Sequence, residues 1–255
     1  MSQGVEDRER EFFDRHYEEE VGHPTGLALR MQRELRSLRR RAKGRRIGRV
    51  LSIGCGEGLF EALLAPFAES IVGIDLSEEA VARAHARAAS HGLRNVEFRR
   101  VALSELRWDE SFDAIVCLAF LHHVPEAELA GLLASVHAHL RPGGFFYAQD
   151  PSRRAWLRGL GRRLLGARYE RYHSADEREL DPREIEAELR RAGFASVELG
   201  WIDVTLIPAH YLLPRAPAWL MHACERFDRA FCATPLARWA SGFTLFATRA
   251  GAPPG

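Results

Sequence analysis

Glycine occupies every second position, Gly54, Gly56 and Gly58, in the stretch VLSIGCGEGLFE, between an apolar run and residues able to open a helix. Glycine is costly in chain entropy, so three within five residues mark a place where something approaches the main chain closely. A second apolar run, SIVGID, closes on Asp75, 21 positions beyond Gly54. A carboxylate there accepts hydrogen bonds from both hydroxyls of a ribose. The two signals agree on a nucleoside, held where a strand gives way to a helix whose first N–H groups are free. The spacing narrows the choice. A dinucleotide fingerprint needs its third glycine one place later, where Leu59 stands, and no GKS or GKT follows for a phosphate loop.

Two further places carry acid–base chemistry. His122 and His123 follow the run FDAIVCL, and Asp150 ends the run GFFYAQD just before Pro151. An imidazole that titrates near neutral pH can take a proton from a hydroxyl or orient an acceptor. The blander role for the LHHV segment is to shape its loop, with one ring bonded to backbone. Asp150 is a second base candidate, or else a cap for the segment after it. Tyr17, Tyr169, Tyr172 and His173 read as packing residues.

The elements that must position these groups alternate from residue 49 to about 150. RVLSIG (49–54), SIVGID (70–75), NVEFRR (95–100), FDAIVCL (112–118) and GFFYAQD (144–150) are short and rich in Val, Ile and Phe, as buried parallel strands are. Ser77 followed by SEEAVARAHARAASHG supplies a cap, acidic first turn and glycine stop. Residues 126–140 carry Leu129, Leu132, Leu133, Val136 and Leu140 at helical spacing. Pro182 and Gly193 bracket another helix within 181–194, and 196–206 and 242–250 read as two more strands. Helices over 5–20 and 26–43 come first. The pattern predicts an α/β fold: a doubly wound, mostly parallel seven-stranded sheet with helices on both faces.

As an ordered set, GxGxG, Asp75 closing the second strand, FDAIVCLAFLHHV and LRPGGFFYAQDP resemble the class I methyltransferases that use S-adenosylmethionine. The likeness spans roughly residues 47–200. It implies that Gly54, Cys55, Gly56 and Gly58 approach the methionine and ribose portions and that Asp75 takes the ribose diol. Leu76 would pack on the adenine, with Ala102 and Leu103 along its edge, and Leu118 and Ala119 would lie near the amino acid part and the methyl group. Two positions depart from the family pattern. Ser52 and Val101 stand where it usually has acids; serine can still hold a water or the ligand ammonium, whereas valine accepts nothing from the adenine amino group. The implied cofactor is S-adenosylmethionine, with S-adenosylhomocysteine as product and no metal. No DPPY or NPPY follows the fourth strand, which argues against amine methylation on DNA bases.

The acceptor side is less specific. The segment 152–172 is basic and amphipathic, and HYLLPRAPAWLMHACERFDRAFCATPLARW places Leu220, Cys224, Phe227 and Phe231 on one helical face. That face either docks on the sheet and closes the site or offers a greasy pocket or membrane contact. The run RELRSLRRRAKGRR (33–46) is a solvated helix face, or else a contact for anionic lipid or RNA. Overall 36 basic residues meet 35 acidic ones, a net charge of +1 that makes no case for nucleic acid. The N-terminus lacks a signal-peptide layout and no run of 18 apolar residues occurs, so a cytoplasmic chain is expected, with peripheral membrane association left open. Cys55, Cys117, Cys224 and Cys232 show no metal or disulfide spacing, and Cys117 reads as a small buried residue.

The sequence thus predicts an N-terminal helical cap (1–46), a cofactor-binding core (47–207), a helical lid inserted before the last strand (208–241), and that strand with a tail (242–255). The expected activity is methyl transfer from S-adenosylmethionine to oxygen or carbon of a small hydrophobic or lipidic acceptor. Three rivals carry different signatures: an RNA methyltransferase (salt-sensitive RNA binding), a noncatalytic nucleoside-binding module (binding without turnover), and a nicotinamide-dependent oxidoreductase (NAD binding).

Overall fold

A computed structural model describes residues 7–12, 22–105, 110–153 and 177–251. Seven strands, β1 (Ile47–Ile53), β2 (Ala68–Asp75), β3 (Val96–Arg100), β4 (Phe112–Leu118), β5 (Leu140–Pro151), β6 (Ser196–Ile202) and β7 (Gly242–Thr248), form one sheet in the order β3-β2-β1-β4-β5-β7-β6. β1 to β5 run parallel, and β7 is antiparallel to both β5 and β6. The strand order reverses between β1 and β4, so the glycine turn after β1 lies at the switch point, where open sheets bind ligands.

Period-two alternation builds a core on each face. Leu51, Ile53, Ile115, Cys117, Phe146 and Ala148 point one way, onto α4 (Glu126–His139) and α5 (Pro182–Arg191) through Leu129, Leu133, Val136, Ile185 and Leu189. Val50, Ala114, Val116 and Tyr147 point the other way, onto Leu38 of α1 (Pro24–Arg41) and Phe60 and Leu64 of α2 (Leu59–Leu64). Strands covered on both faces must be apolar throughout, which is why they read as continuous runs. Cys117 is buried as expected, and burial pushes its thiol well above the usual range.

Caps set the helix boundaries. Ser77 accepts from the Ala80 N–H to start α3 (Glu78–Ser90), and Asp181 accepts from Arg183 to start α5. The helix expected over 26–43 begins two residues earlier, because His23 caps it through Thr25 and Pro24 occupies its first turn. The expected helix over 5–20 is described only at residues 7–12, which are helical; the basic segment predicted within 152–172 lies, from residue 154, outside the described residues.

Two expectations about the region before the last strand are corrected. The strand expected over 196–206 stops at Ile202. Asp203 takes a left-handed φ of 59° and turns its carboxylate onto Arg33, and Asp228 accepts from the Thr205 and Leu206 N–H groups, so the chain turns into α6 (Leu206–Leu212). In α7 (Ala218–Cys232) the buried residues are Met221 and Asp228, while Phe227 is half exposed. Met221 joins Leu29, Leu206 and Ala209 in a cluster against which Leu220 and Cys224 of the expected face also pack, so this helix docks on α1 and α6, rotated so that Phe227 faces outward. The polar anchor Asp228, invisible to an apolar-face count, sets that rotation.

Much of the basic run in α1 is engaged within the fold. Arg33 makes paired bonds to Asp203 (2.6 and 2.8 Å) and reaches Glu34, which accepts from the Tyr147 hydroxyl at 2.7 Å. Arg36 pairs with Glu225, Arg41 with Glu198, and Arg39 covers the Phe67 ring at 3.8 Å. Charges used this way leave less for a polyanion.

Candidate active site

A cavity of about 580 Å³ opens beside the glycine turn. Ser52, Gly54, Cys55 and Gly56 line its floor, with Leu118 from the end of β4. Phe60 and Glu61 of α2 form one wall, and Leu27, Arg30 and Met31 of α1 another, joined by His210 and Tyr211 of α6. The start of α1 is stitched to α6 and the turn after it. The His23 N–H donates to His210 Nδ1 (2.9 Å), and His23 Nε2 lies 2.8 Å from the Ala216 carbonyl. Burial lowers the His210 pKa to about 4, so its ring is neutral and acts as a packed wall.

The glycines serve close approach. Gly54, Gly56 and Gly58 all have φ between 52° and 70°, the left-handed region that disfavours side chains. A Cβ on Gly54 would stand 2.6 Å from the Phe120 ring, and one on Gly58 would stand 2.8 Å from Phe98. Asp75 ends β2 with Oδ2 accepting from the Gly56 N–H (2.8 Å) and Oδ1 from Ser77 (3.0 Å), which fixes its carboxylate against the turn. Burial raises its pKa. Leu76 follows it directly, and Ala102 and Leu103 follow β3, whose last residue Arg100 pairs with Asp75 in the sheet. Asp75, Leu76, Ala102 and Leu103 are not among the residues lining the 580 Å³ cavity. Ala119 carries a strained φ of 53° beyond β4 and bonds to the Gln149 carbonyl at 2.6 Å.

His122 and Asp150 come together. Nδ1 of His122 lies 2.8 Å from Asp150 Oδ1, and the His122 backbone N–H reaches the same oxygen at 3.2 Å. Asp150 is 0% exposed, and burial pushes its pKa well above the usual carboxylate range even though N–H groups of Phe120, Leu121 and His122 oppose this. It is therefore sealed from any acceptor and can act only through the ring it holds. The His123 ring lies 4.0 Å from that of His122, with Nδ1 3.0 Å from Oε2 of Glu9 in the 7–12 segment. Neither histidine lines the cavity described above. His122, His123 and Glu177 bring three candidate metal-ligand atoms within 4.8 Å of one another, a grouping that spans the fold and has no sequence spacing to reveal it.

Glu61 was not foreseen. It is 2% exposed, accepts the Ser52 hydroxyl at 2.5 Å, and its second oxygen has no hydrogen-bond partner among the described residues. Burial, with the Asp75 charge adding to it, raises its pKa to about 7 against the ordering effect of Ser52. A lone acid inside the apolar LFEALLA turn was the available signal. The unfolded chain ionises Glu61 from about 4.5 while the fold keeps its proton until about 7, so the native state loses stability as pH rises through that window. Glu61→Gln is expected to remove roughly 3 kcal/mol of that loss. Urea unfolding of wild type and variant at pH 5 and pH 8 checks it; equal pH dependence in both would place the pKa near its ordinary value.

A methyltransferase-domain family model matches residues 50–144. The chain is 25% identical over 186 residues to an enzyme named ubiquinone biosynthesis O-methyltransferase from Acinetobacter baumannii (strain AYE), an alignment covering 68% of this chain and 74% of the other. Its fold is similar to DhpI in a complex with SAH (TM-score 0.60, 20% identity, 99% and 100% coverage). It is also similar to the N-methyltransferase NodS of Bradyrhizobium japonicum WM9 with S-adenosylhomocysteine (TM-score 0.58, 16% identity, 89% and 88% coverage). The sheet order, the glycine turn and these matches define a Rossmann-like transferase. Residues 50–144 thus carry a methyltransferase domain, set in a fold that the S-adenosylhomocysteine-bound structures share over nearly the whole chain.

Proposed function

We propose that this enzyme methylates a hydroxyl oxygen of a small hydrophobic acceptor, with His122 as general base and Asp150 as its positioning residue. The observation that carries this reading is the buried His122–Asp150 pair at 2.8 Å. A carboxylate on Nδ1 selects the tautomer that carries its proton there and leaves the Nε2 lone pair as the basic one. The A. baumannii relative is named as an O-methyltransferase, which favours oxygen over carbon.

Residues present fit the cofactor. Gly54, Cys55, Gly56 and Gly58 would lie along its sugar and tail, Asp75 would accept its ribose hydroxyls, and Leu76, Ala102 and Leu103 would flank its adenine. Ser52, Leu118 and Ala119 would border its amino acid end. The unpartnered Glu61 oxygen beside Ser52 supports the fit. Bound there, S-adenosylmethionine supplies a methyl group on a cationic sulfur with a neutral thioether as leaving group. The protein's task is alignment and desolvation, where proximity can supply about 7–11 kcal/mol. His122 would take the acceptor's proton as oxygen attacks, and Asp150 would hold the resulting imidazolium.

In this reading the cap (1–46) and the lid (208–241) flank the core (47–207) along the chain, with the last strand and tail (242–255) after the lid; the meeting of Leu27, Arg30 and Met31 with His210 and Tyr211 around the cavity supports it. Leu212, Leu213, Trp219 and Trp239 on the lid side are exposed, Trp219 by 67%. That apolar surface supports a hydrophobic acceptor and a peripheral contact with membrane for a cytoplasmic enzyme. Among the described residues no helix is long and apolar enough to cross a bilayer.

Calorimetric titration tests the cofactor site. Wild type should bind S-adenosylhomocysteine and not NAD. Asp75→Ala should weaken the former by about 10- to 100-fold, the size of losing hydrogen bonds to a charged acceptor. Undiminished affinity in that variant would remove Asp75 from the site.

A further inference from the structure

The family pattern puts an acid two places before the first glycine; Ser52 stands there. The structure returns a carboxylate to the same spot from another element. Ser52 ends its side chain 2.5 Å from Glu61 Oε1, and Glu61 Oε2 is buried without a hydrogen-bond partner among the described residues, in a residue that lines the cavity. A buried carboxylate oxygen left unbonded is expensive unless a donor arrives from outside the chain. Opposite charge is available across the same cavity. Three arginines line it, of which Arg83 and Arg87 are paired with Glu57. Arg30 of α1 lines it too, and no ion pair engages it among the described residues. A pocket with one unsatisfied acid and one unengaged guanidinium suits a zwitterion.

We propose that Glu61, steadied by Ser52, and Arg30 form the subsite for the free α-amino acid end of the cofactor. Glu61 takes the ammonium and Arg30 the carboxylate. This rests on the cofactor reading above and extends it: the acid has moved from strand to helix, and the cap helix contributes directly to binding. The enzyme would then discriminate sharply among adenosyl thioethers that differ only in that tail.

Calorimetry with four ligands tests it: S-adenosylhomocysteine, its decarboxylated and its deaminated analogues, and 5′-methylthioadenosine, which lacks the amino acid. Glu61→Gln should lose about tenfold or more for S-adenosylhomocysteine and the decarboxylated analogue, and less than about twofold for the deaminated analogue and methylthioadenosine. Arg30→Met should show the reverse pattern for the two analogues. Ser52→Asp alone should weaken S-adenosylhomocysteine, because two carboxylates would share one proton. Ser52→Asp with Glu61→Leu should restore much of the affinity. Equal losses for all four ligands in Glu61→Gln would make Glu61 merely structural and overturn the proposal. So would wild-type affinity for S-adenosylhomocysteine in that variant while Asp75→Ala still weakens it, with the cofactor site left standing. Failure of wild type to bind any of the four would overturn both.

Discussion

Replacing His122 with alanine is expected to lower kcat by about 10²- to 10⁴-fold, the usual contribution of a positioned general base, while leaving S-adenosylhomocysteine affinity within about twofold. The ring is held from behind by a carboxylate that no acceptor can reach, so the substitution removes the proton acceptor and leaves the glycine turn in place. Asp150→Asn should fall between wild type and His122→Ala, because the amide can bond Nδ1 yet no longer supports a positive ring. Turnover is to be measured with phenolic and enolic test acceptors. Full activity in His122→Ala would mean that the acceptor ionises without help and that the LHHV segment only shapes its loop.

The second large effect concerns the cap. Asp203 is 0% exposed and holds Arg33 through two short bonds, in a network that continues through Glu34 to Tyr147 in the middle of β5. Asp203→Ala would leave a buried guanidinium with half its compensation gone. Breaking such a pair from one side costs about 3–5 kcal/mol, and a fall of roughly 10 °C in Tm is expected for a chain this size. Arg33→Met combined with Asp203→Ala should cost less than the sum of the two single changes, since the shared ion pair is lost once and Glu34 keeps its bond from the Tyr147 hydroxyl. Thermal unfolding of the three variants checks this, and a negligible loss in Asp203→Ala would show that water reaches the network.

The fold was legible because its signals are local. β1, β2, β4 and the second half of β5 carry apolar runs, while the edge strand β3 shows only Val96 and Phe98; Ser77 and Asp181 announce their helices, and Gly54, Gly56 and Gly58 follow the strand that opens the switch point. The cofactor follows from their order. What escaped the sequence depends on contacts between distant segments. Glu61 reads as a polar position on a short helix until the fold puts it beside Ser52. Asp203 looks like part of a strand until Arg33, 170 positions away, pulls it out of line. His122 and Asp150 were each legible as acid–base groups, but their partnership needs β4 and β5 to lie side by side. In the helix 218–232, Leu220 and Cys224 of the expected apolar face pack inward while Phe227 does not, because Asp228, a polar residue that accepts from Leu206, anchors the buried side.

A crystal structure with S-adenosylhomocysteine at saturating concentration bears most directly on the central claim, that an adenosyl thioether lies across the glycine turn at the switch point. The account predicts its ribose at Asp75, its adenine beside Leu76 and Ala102, and its amino acid end between Glu61 and Arg30. Density at any other place, or none in the cavity under those conditions, would contradict it.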